Sequence, residues 1–416
     1  MANTFRLTAA FLVTLLFAPL LLESGNTLGS AHTPKKLTVA PPGPASANAP
    51  MAPSWELPVP DTSAPFIVGT GDGFAVATRS GRLAAHAPGG GAPLWQIELG
   101  GSLETAPVYG SGRLAVIVYV GSTVEMVLVD AADGRVVSRQ PAGGAAVIVS
   151  AIADGIVLAD PATGASSLAL YEPVSGSLRW KTPLPSSPSA AASQCGDSIM
   201  VGGADGTLMS LRSSDGTLGW KRKIGEAIAT PVLCVGSLAW VGSADNRVHA
   251  LRIRRHGCGR RWSYLTGGDI SGRIVWYDSR VLFFSYDTYL YALESGNGHL
   301  AWKVRLGRRP QPESALLGDL LMVAPLNTER LEVFHLPDGA QTAALLLPGG
   351  KDRFVTPPVK SGRMIVIAAA RYGEESSRLI GLDPEAAKAS PGATNPAASQ
   401  PAASPAAPAD APPPSP

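Results

Sequence analysis

The sequence is poor in cysteine, in charge and in aromatic rings. Three cysteines occur in 416 residues: Cys195, Cys234 and Cys258. The odd count leaves at least one thiol unpaired within the chain. No two are adjacent in sequence, and no Cys-x-x-Cys-His marks a covalently held haem. Charged residues make up only 16 %, and 34 Lys and Arg nearly balance 32 Asp and Glu. No global field therefore favours nucleic acid, which is not an expected partner. Between Trp55 and Asp383 no long helical periodicity appears, which argues against a helical bundle.

What is abundant is Gly and Pro, 46 and 37 residues, set among short apolar runs. Many turns joined by short apolar segments point to an all-β fold. The N-terminus reads as an export signal or anchor over residues 1–30. Arg6 gives it a positive start, Leu7 to Leu22 an apolar run, and Gly29, Ser30 and Ala31 small residues for cleavage. The run is shorter than the roughly 20 residues a spanning helix prefers. No cysteine follows it as a lipid attachment site. Exported protein is expected, periplasmic or membrane-associated in the cell envelope, with membrane association through this segment. Residues 31–54 and 384–416 are rich in Pro and Ala, and read as a flexible linker and tail.

A repeat dominates the remainder. Gly176 to Trp180, Gly216 to Trp220 and Gly298 to Trp302 each place Gly four residues before Trp, as do Gly91 and Trp95. Trp55, Trp95, Ser138, Trp180, Trp220, Trp262, Trp302 and Ala343 follow one another at steps of 40 to 43 residues. Ser138 and Ala343 stand where the tryptophan has been lost, and their units are expected to be the least regular. Each unit contains strand, turn, strand, turn, strand. One example is Ser198 to Val201, Ala204-Asp205-Gly206, Thr207 to Leu211, then Asp215-Gly216. Asp-Gly pairs supply hairpin chemistry, and a further strand fits before each set. Four short strands per unit is one propeller blade, and stacking blades in a ring buries both faces of each. The expected fold is all-β: an eight-bladed propeller over residues 55–383, monomeric, with four antiparallel strands per blade. The last unit lacks its final strand, and Trp55 to Val59 is an orphan of that type. We expect it to close the ring on the last blade.

Leu238 to Leu251, and Leu290 to Leu293 through Gly298 to Trp302, resemble the quinoprotein-type (PQQ-like) repeat. That repeat occurs in quinoprotein alcohol dehydrogenases and in the BamB-like component of outer-membrane barrel assembly. The resemblance implies the propeller fold and leaves the function open. The BamB-like branch implies a non-catalytic scaffold for a protein partner, with an envelope assembly complex as the candidate. Its docking loops correspond here to Pro183 to Pro188 and Gly225 to Ile228. These lack the arginine and aspartates of the family, so no partner-binding residue is carried over. The enzyme branch implies quinone and Ca²⁺ held in the central channel by hard oxygen ligands. It often carries adjacent cysteines, absent here. A ring binding a small ligand or glycan is a third reading.

Other chemistry is sparse. Trp55, Trp95, Trp180, Trp220, Trp262 and Trp302 are expected to dock blades together. The acidic residues fall mostly in Asp-Gly turns such as Asp133, Asp205, Asp215 and Asp338, which turn formation explains. His256 and Cys258 are half a metal site at most. No catalytic residue, metal ligand or cofactor is expected. Cys195 and Cys234 sit at similar points of neighbouring repeats, yet they read more readily as buried small apolar residues than as a pair. One surface feature suggests binding: Arg252, Arg254, Arg255, Arg260 and Arg261 crowd one turn, a candidate site for an acidic partner.

Overall fold

The computed structural model describes residues 49–50, 52–59 and 64–384, apart from 144–147, 163, 312, 326, 348–350 and 372–375. The segments read as signal or anchor and as tail lie outside the described residues, as does most of the linker. Every sheet in the described chain is part of one of eight blades. Blade 1 spans residues 66–98, blade 2 108–141, blade 3 148–183, blade 4 193–223, and blade 5 233–265. Blades 6 and 7 span 270–305 and 315–346, and blade 8 352–382. In blades 1 to 7 the four strands are hydrogen-bonded in chain order, an antiparallel meander.

The middle strands are buried on both faces. Phe74–Ala77 and Ser167–Tyr171 are buried throughout, and Val116, Ile117, Val201 and Phe283 are essentially inaccessible. A sheet covered on both sides needs continuous apolar runs, which is why these strands do not alternate polar and apolar residues. The core is a set of clusters between blades. One joins Val157, Leu170 and Trp180 of blade 3 to Ile199, Met209 and Leu211 of blade 4. Another joins Leu282 and Phe284 of blade 6 to Leu321 and Phe334 of blade 7.

Blade 8 is assembled from both ends of the ring. Trp55–Val59 pairs antiparallel with Ser377–Leu382, with Trp55 opposite Gly381 and Val59 opposite Ser377. The innermost strand of this blade is split into Asp352–Phe354 and Val359–Ser361, both paired with Met364–Arg371. Pro357 and Pro358 lie in the gap, where neither can donate to the ladder. Part of the expected linker is structured. Ala49–Pro50 adds in parallel to Gln341–Leu346, the outermost strand of blade 7, with Ala49 opposite Ala343.

Blades 2 and 7 are not the irregular ones. Both carry the single-residue bulge that blades 3 to 6 place before the tryptophan position, at Val137 and Thr342. Strand pairing and the preceding glycine turn therefore set the blade geometry without the indole. Blade 8, with its split strand, departs further from the repeat.

Candidate functional site

Three places can carry function in such a ring: the junctions between blades, the central channel and the outer wall. The repeat tryptophans belong to the junctions. Trp180 in the outermost strand of blade 3 donates its Nε1–H to the Ser213 carbonyl of blade 4, at 2.8 Å. The same bond runs from Trp55 to Pro88, Trp95 to Ala131, Trp262 to Ser295 and Trp302 to Leu336, at 3.0 to 3.1 Å. In each case the indole lies against a glycine in the turn of the next blade. A Cβ on Gly216 would stand 2.4 Å from Trp180. Gly216 also has φ of 71°, so glycine is needed there twice over. These rings are engaged in packing and hydrogen bonding between blades. Where Ser138 replaces the tryptophan, its Oγ faces Gly176 instead.

The blade 4–blade 5 junction is built differently. Blade 5 has no Asp-Gly turn, so Trp220 meets neither the carbonyl nor the glycine. Trp220 packs with Leu251 and Cys258, and Arg222 Nη1 donates to the Cys258 carbonyl across the junction. Cys195 and Cys234, on the innermost strands of these two blades, form a disulfide with Cα atoms 5.6 Å apart. This corrects the reading of both as unpaired apolar residues. Cys195 ends the first strand of blade 4 and Cys234 is the middle residue of the first strand of blade 5, and adjacent blades bring these strands together. Cys258 is the free thiol; it is buried, and burial pushes its pKa up. His256 is exposed while Cys258 is buried, and no third ligand joins them. Among the described residues, no group of three or more His, Cys, Asp or Glu could hold a metal ion.

The central channel encloses about 660 Å³ and is lined by the innermost segments of all eight blades. Val68, Val108, Val149, Ala192 and Pro231 are typical of its wall. Its charged groups are Arg273, Glu313 and Lys360, and Arg273 Nε lies 3.5 Å from Glu313 Oε2. The amide of Gln194 is engaged with Asp154, through Nε2 to Oδ2 at 2.7 Å. Ca²⁺ takes six to eight oxygen ligands. One carboxylate, already beside an arginine, in a wall of alanine, valine and proline does not fit quinone and Ca²⁺. A smaller cavity of about 390 Å³ at the blade 8–blade 1 seam is mainly apolar, with Leu57, Val76, Ala84 and Leu379 in its lining.

The outer wall is asymmetric in charge. The outermost strand of blade 3 exposes Arg179 and Lys181, and that of blade 4 exposes Lys221, Arg222 and Lys223. Blade 5 adds Arg260 and Arg261, and blade 6 adds Lys303 and Arg305. These four strands contain no Asp or Glu. Lys181, Lys221 and Lys303 each follow the tryptophan directly, so they recur at one level of three blades. Among the described residues none of these nine cations takes part in an ion pair. The other four outermost strands carry Glu56, Glu98 and Arg139, each in an ion pair. Arg252, Arg254 and Arg255 extend the basic wall onto the exposed hairpin of blade 5. The structure thus brings the arginine cluster read from the sequence beside cations of three further blades.

Known proteins bear on this geometry in two ways. A family model described as "Outer membrane protein assembly factor BamB" matches residues 23–194 and again 164–388. No curated protein matches the chain in sequence. Among solved structures, the computationally designed Ika8 protein is 13 % identical, with a TM-score of 0.62 over 78 % of this chain and 98 % of that one. The C-terminal WD40 domain of Sif2 is 12 % identical, with a TM-score of 0.63 over 80 % and 99 %. BamB from Moraxella catarrhalis is 17 % identical, with a TM-score of 0.45 over 80 % and 99 %. The first two likenesses show the propeller fold. The repeat, the eight blades and the family match over most of the described ring give one conclusion: this chain belongs to the family of the outer membrane protein assembly factor BamB.

Proposed function

We propose that the ring is a non-catalytic platform that holds a protein partner in the cell envelope, in the assembly of outer-membrane proteins. The protein is exported and works in the periplasm or at a membrane. The family supports the setting, since its description names an assembly factor. The observation that carries the reading is the basic hairpin of blade 5. Arg252, Arg254, Arg255, Arg260 and Arg261 are all exposed, and none has an ion-pair partner among the described residues. Holding five cations together without counter-charge costs electrostatic self-repulsion, which an acidic partner would relieve. The channel favours the same reading, because its lining offers no set of converging groups for catalysis.

The test is affinity capture from membranes, analysed by mass spectrometry. It compares the wild-type protein with the variant Arg254→Ser, Arg255→Ser, Arg260→Ser, Arg261→Ser. The expected result is that outer-membrane assembly proteins come down with the wild type and are depleted with the variant. Identical profiles from the two would overturn the role of the hairpin. Reduction of a dye by the protein with added quinone and Ca²⁺ would overturn the non-catalytic reading.

A further inference from the structure

We propose that the free edge of Gly257–Leu265 in blade 5 takes up an extended acidic segment of a partner polypeptide as an added strand. The inference rests on the platform reading and names the chemistry of the partner.

The edge comes first. The outermost strand of a blade pairs on one side only and leaves a row of backbone N–H and C=O groups open on the other. Gly257–Leu265 has nine residues and is the longest strand among the described residues. Strand addition at such an edge already occurs within this molecule. Ala49–Pro50 pairs with the outermost strand of blade 7, at the level of Ala343.

The charge comes second. Arg260 and Arg261 lie on the edge of blade 5 itself. Lys221 and Lys223 flank it from blade 4, and Lys303 and Arg305 from blade 6. Cations on an edge strand have a plain protective use, because identical basic edges repel each other. The remaining blades show that protection here does not require piled-up charge. Blade 7 is covered by Ala49–Pro50, blades 8 and 2 carry Pro58 and Pro141 in their outermost strands, and that of blade 1 has only four residues. Although Arg222, Lys223 and Arg261 donate to backbone carbonyls and Lys303 lies over the Tyr289 ring, the charge on the outermost strands of blades 3 to 6 is of one sign and in no ion pair among the described residues. It forbids pairing with a second copy while favouring an acidic strand, the two halves of a specific interface. Backbone hydrogen bonds would supply the affinity and the flanking cations the choice of partner.

The experiment uses the full chain and a fluorescein-labelled peptide of alternating Glu and Val. A second peptide of equal charge carries Pro in place of every other Val, which removes the N–H donor at each of those positions and interrupts the ladder. Vesicles of phosphatidylglycerol form a third arm. The expected result is saturable binding of the first peptide, weakened on the order of tenfold when salt rises from about 0.05 to about 0.3 M. Hydrogen exchange should slow within Gly257–Leu265. The Arg260→Ser, Arg261→Ser variant, with its melting curve unchanged, should lose most of the binding. Equal binding of the proline peptide, protection elsewhere in the ring, vesicle binding without peptide binding, or no binding would each overturn the proposal. If capture still depends on the hairpin arginines while the peptide fails to bind, the platform reading stands and the strand does not. If capture is empty while the peptide binds, the platform reading falls.

Discussion

The blade 3–blade 4 junction and the blade 4–blade 5 junction solve one problem with different parts. At the first, Trp180 donates to Ser213 and lies on Gly216. At the second, Trp220 is as well buried, with 9 % of its surface exposed against 8 % for Trp180, yet it lacks both partners. A disulfide between the innermost strands and the Arg222 bond to Cys258 stand there instead. The repeated junction is thus replaceable. What the ring needs at each seam is a cross-blade tie, and a covalent one at the inner rim can stand in for the indole's hydrogen bond at the outer rim. It also follows that the seams do not respond alike to one disturbance.

Deleting Trp55–Val59 should have the largest effect. It removes the edge strand of blade 8, the Trp55 bond to Pro88 and the Glu56–Arg378 ion pair together. The loss should exceed the roughly 5 kcal/mol that marks a severe single substitution. A urea melt that does not move would refute ring closure by this strand.

Reduction comes next. The cysteines are separated by 39 residues, and for a loop of that size chain entropy gives about 4 kcal/mol as an upper figure. A reductant, or Cys195→Ser with Cys234→Ser, should lower the melting temperature. If the blade 4–blade 5 seam is tied well enough by Trp220 alone, calorimetry will show no shift.

Asp352→Asn tests a third kind of tie. Asp352 is nearly inaccessible, and its carboxylate accepts from Arg378 at 2.6 Å and from Arg371 at 3.1 Å. Burial alone would raise its pKa, but the two arginines outweigh burial and hold it below the usual carboxylate value. The pair therefore stabilises the fold fully above the ordinary carboxyl range and loses its effect as pH falls through the lowered folded value. The variant should cost about 3 kcal/mol at neutral pH, since it leaves arginines without their buried partner. It should also flatten the acid side of a stability–pH curve, and an unchanged acid limb would remove Asp352 from the account.

The smallest expected effect separates the two junctions most directly. Trp180→Phe keeps an aromatic ring and deletes the N–H, so it should cost about 1 kcal/mol more than Trp220→Phe. Equal losses in paired denaturant melts would mean that the carbonyl bond adds nothing to the junction.

The fold was legible because its signal is spacing. Gly and Trp recur at steps a single sequence displays, and the steps survive the loss of Trp at Ser138 and Ala343. The disulfide was not legible. Only adjacent blades bring Cys195 to Cys234, and each cysteine sits in a strand of three residues. Ala49–Pro50 gave no signal either, since two residues carry no alternation. The basic wall was half visible. Arg252 to Arg261 stand together in the chain, whereas Lys181, Lys221 and Lys303 meet only across the repeat. Reading the sequence down its period shows all three directly after a tryptophan.

Ala49–Pro50 and Trp55–Val59 lie on the outer edges of blades 7 and 8. In a ring of eight, these blades lie across the axis from blades 3 and 4. The described chain therefore enters the ring on the side opposite blades 3 and 4, where the basic arc begins. That arc runs on to Lys303 and Arg305 of blade 6, the neighbour of blade 7, so a molecule seated along the wall has one end across the ring from Ala49–Pro50 and the other beside it.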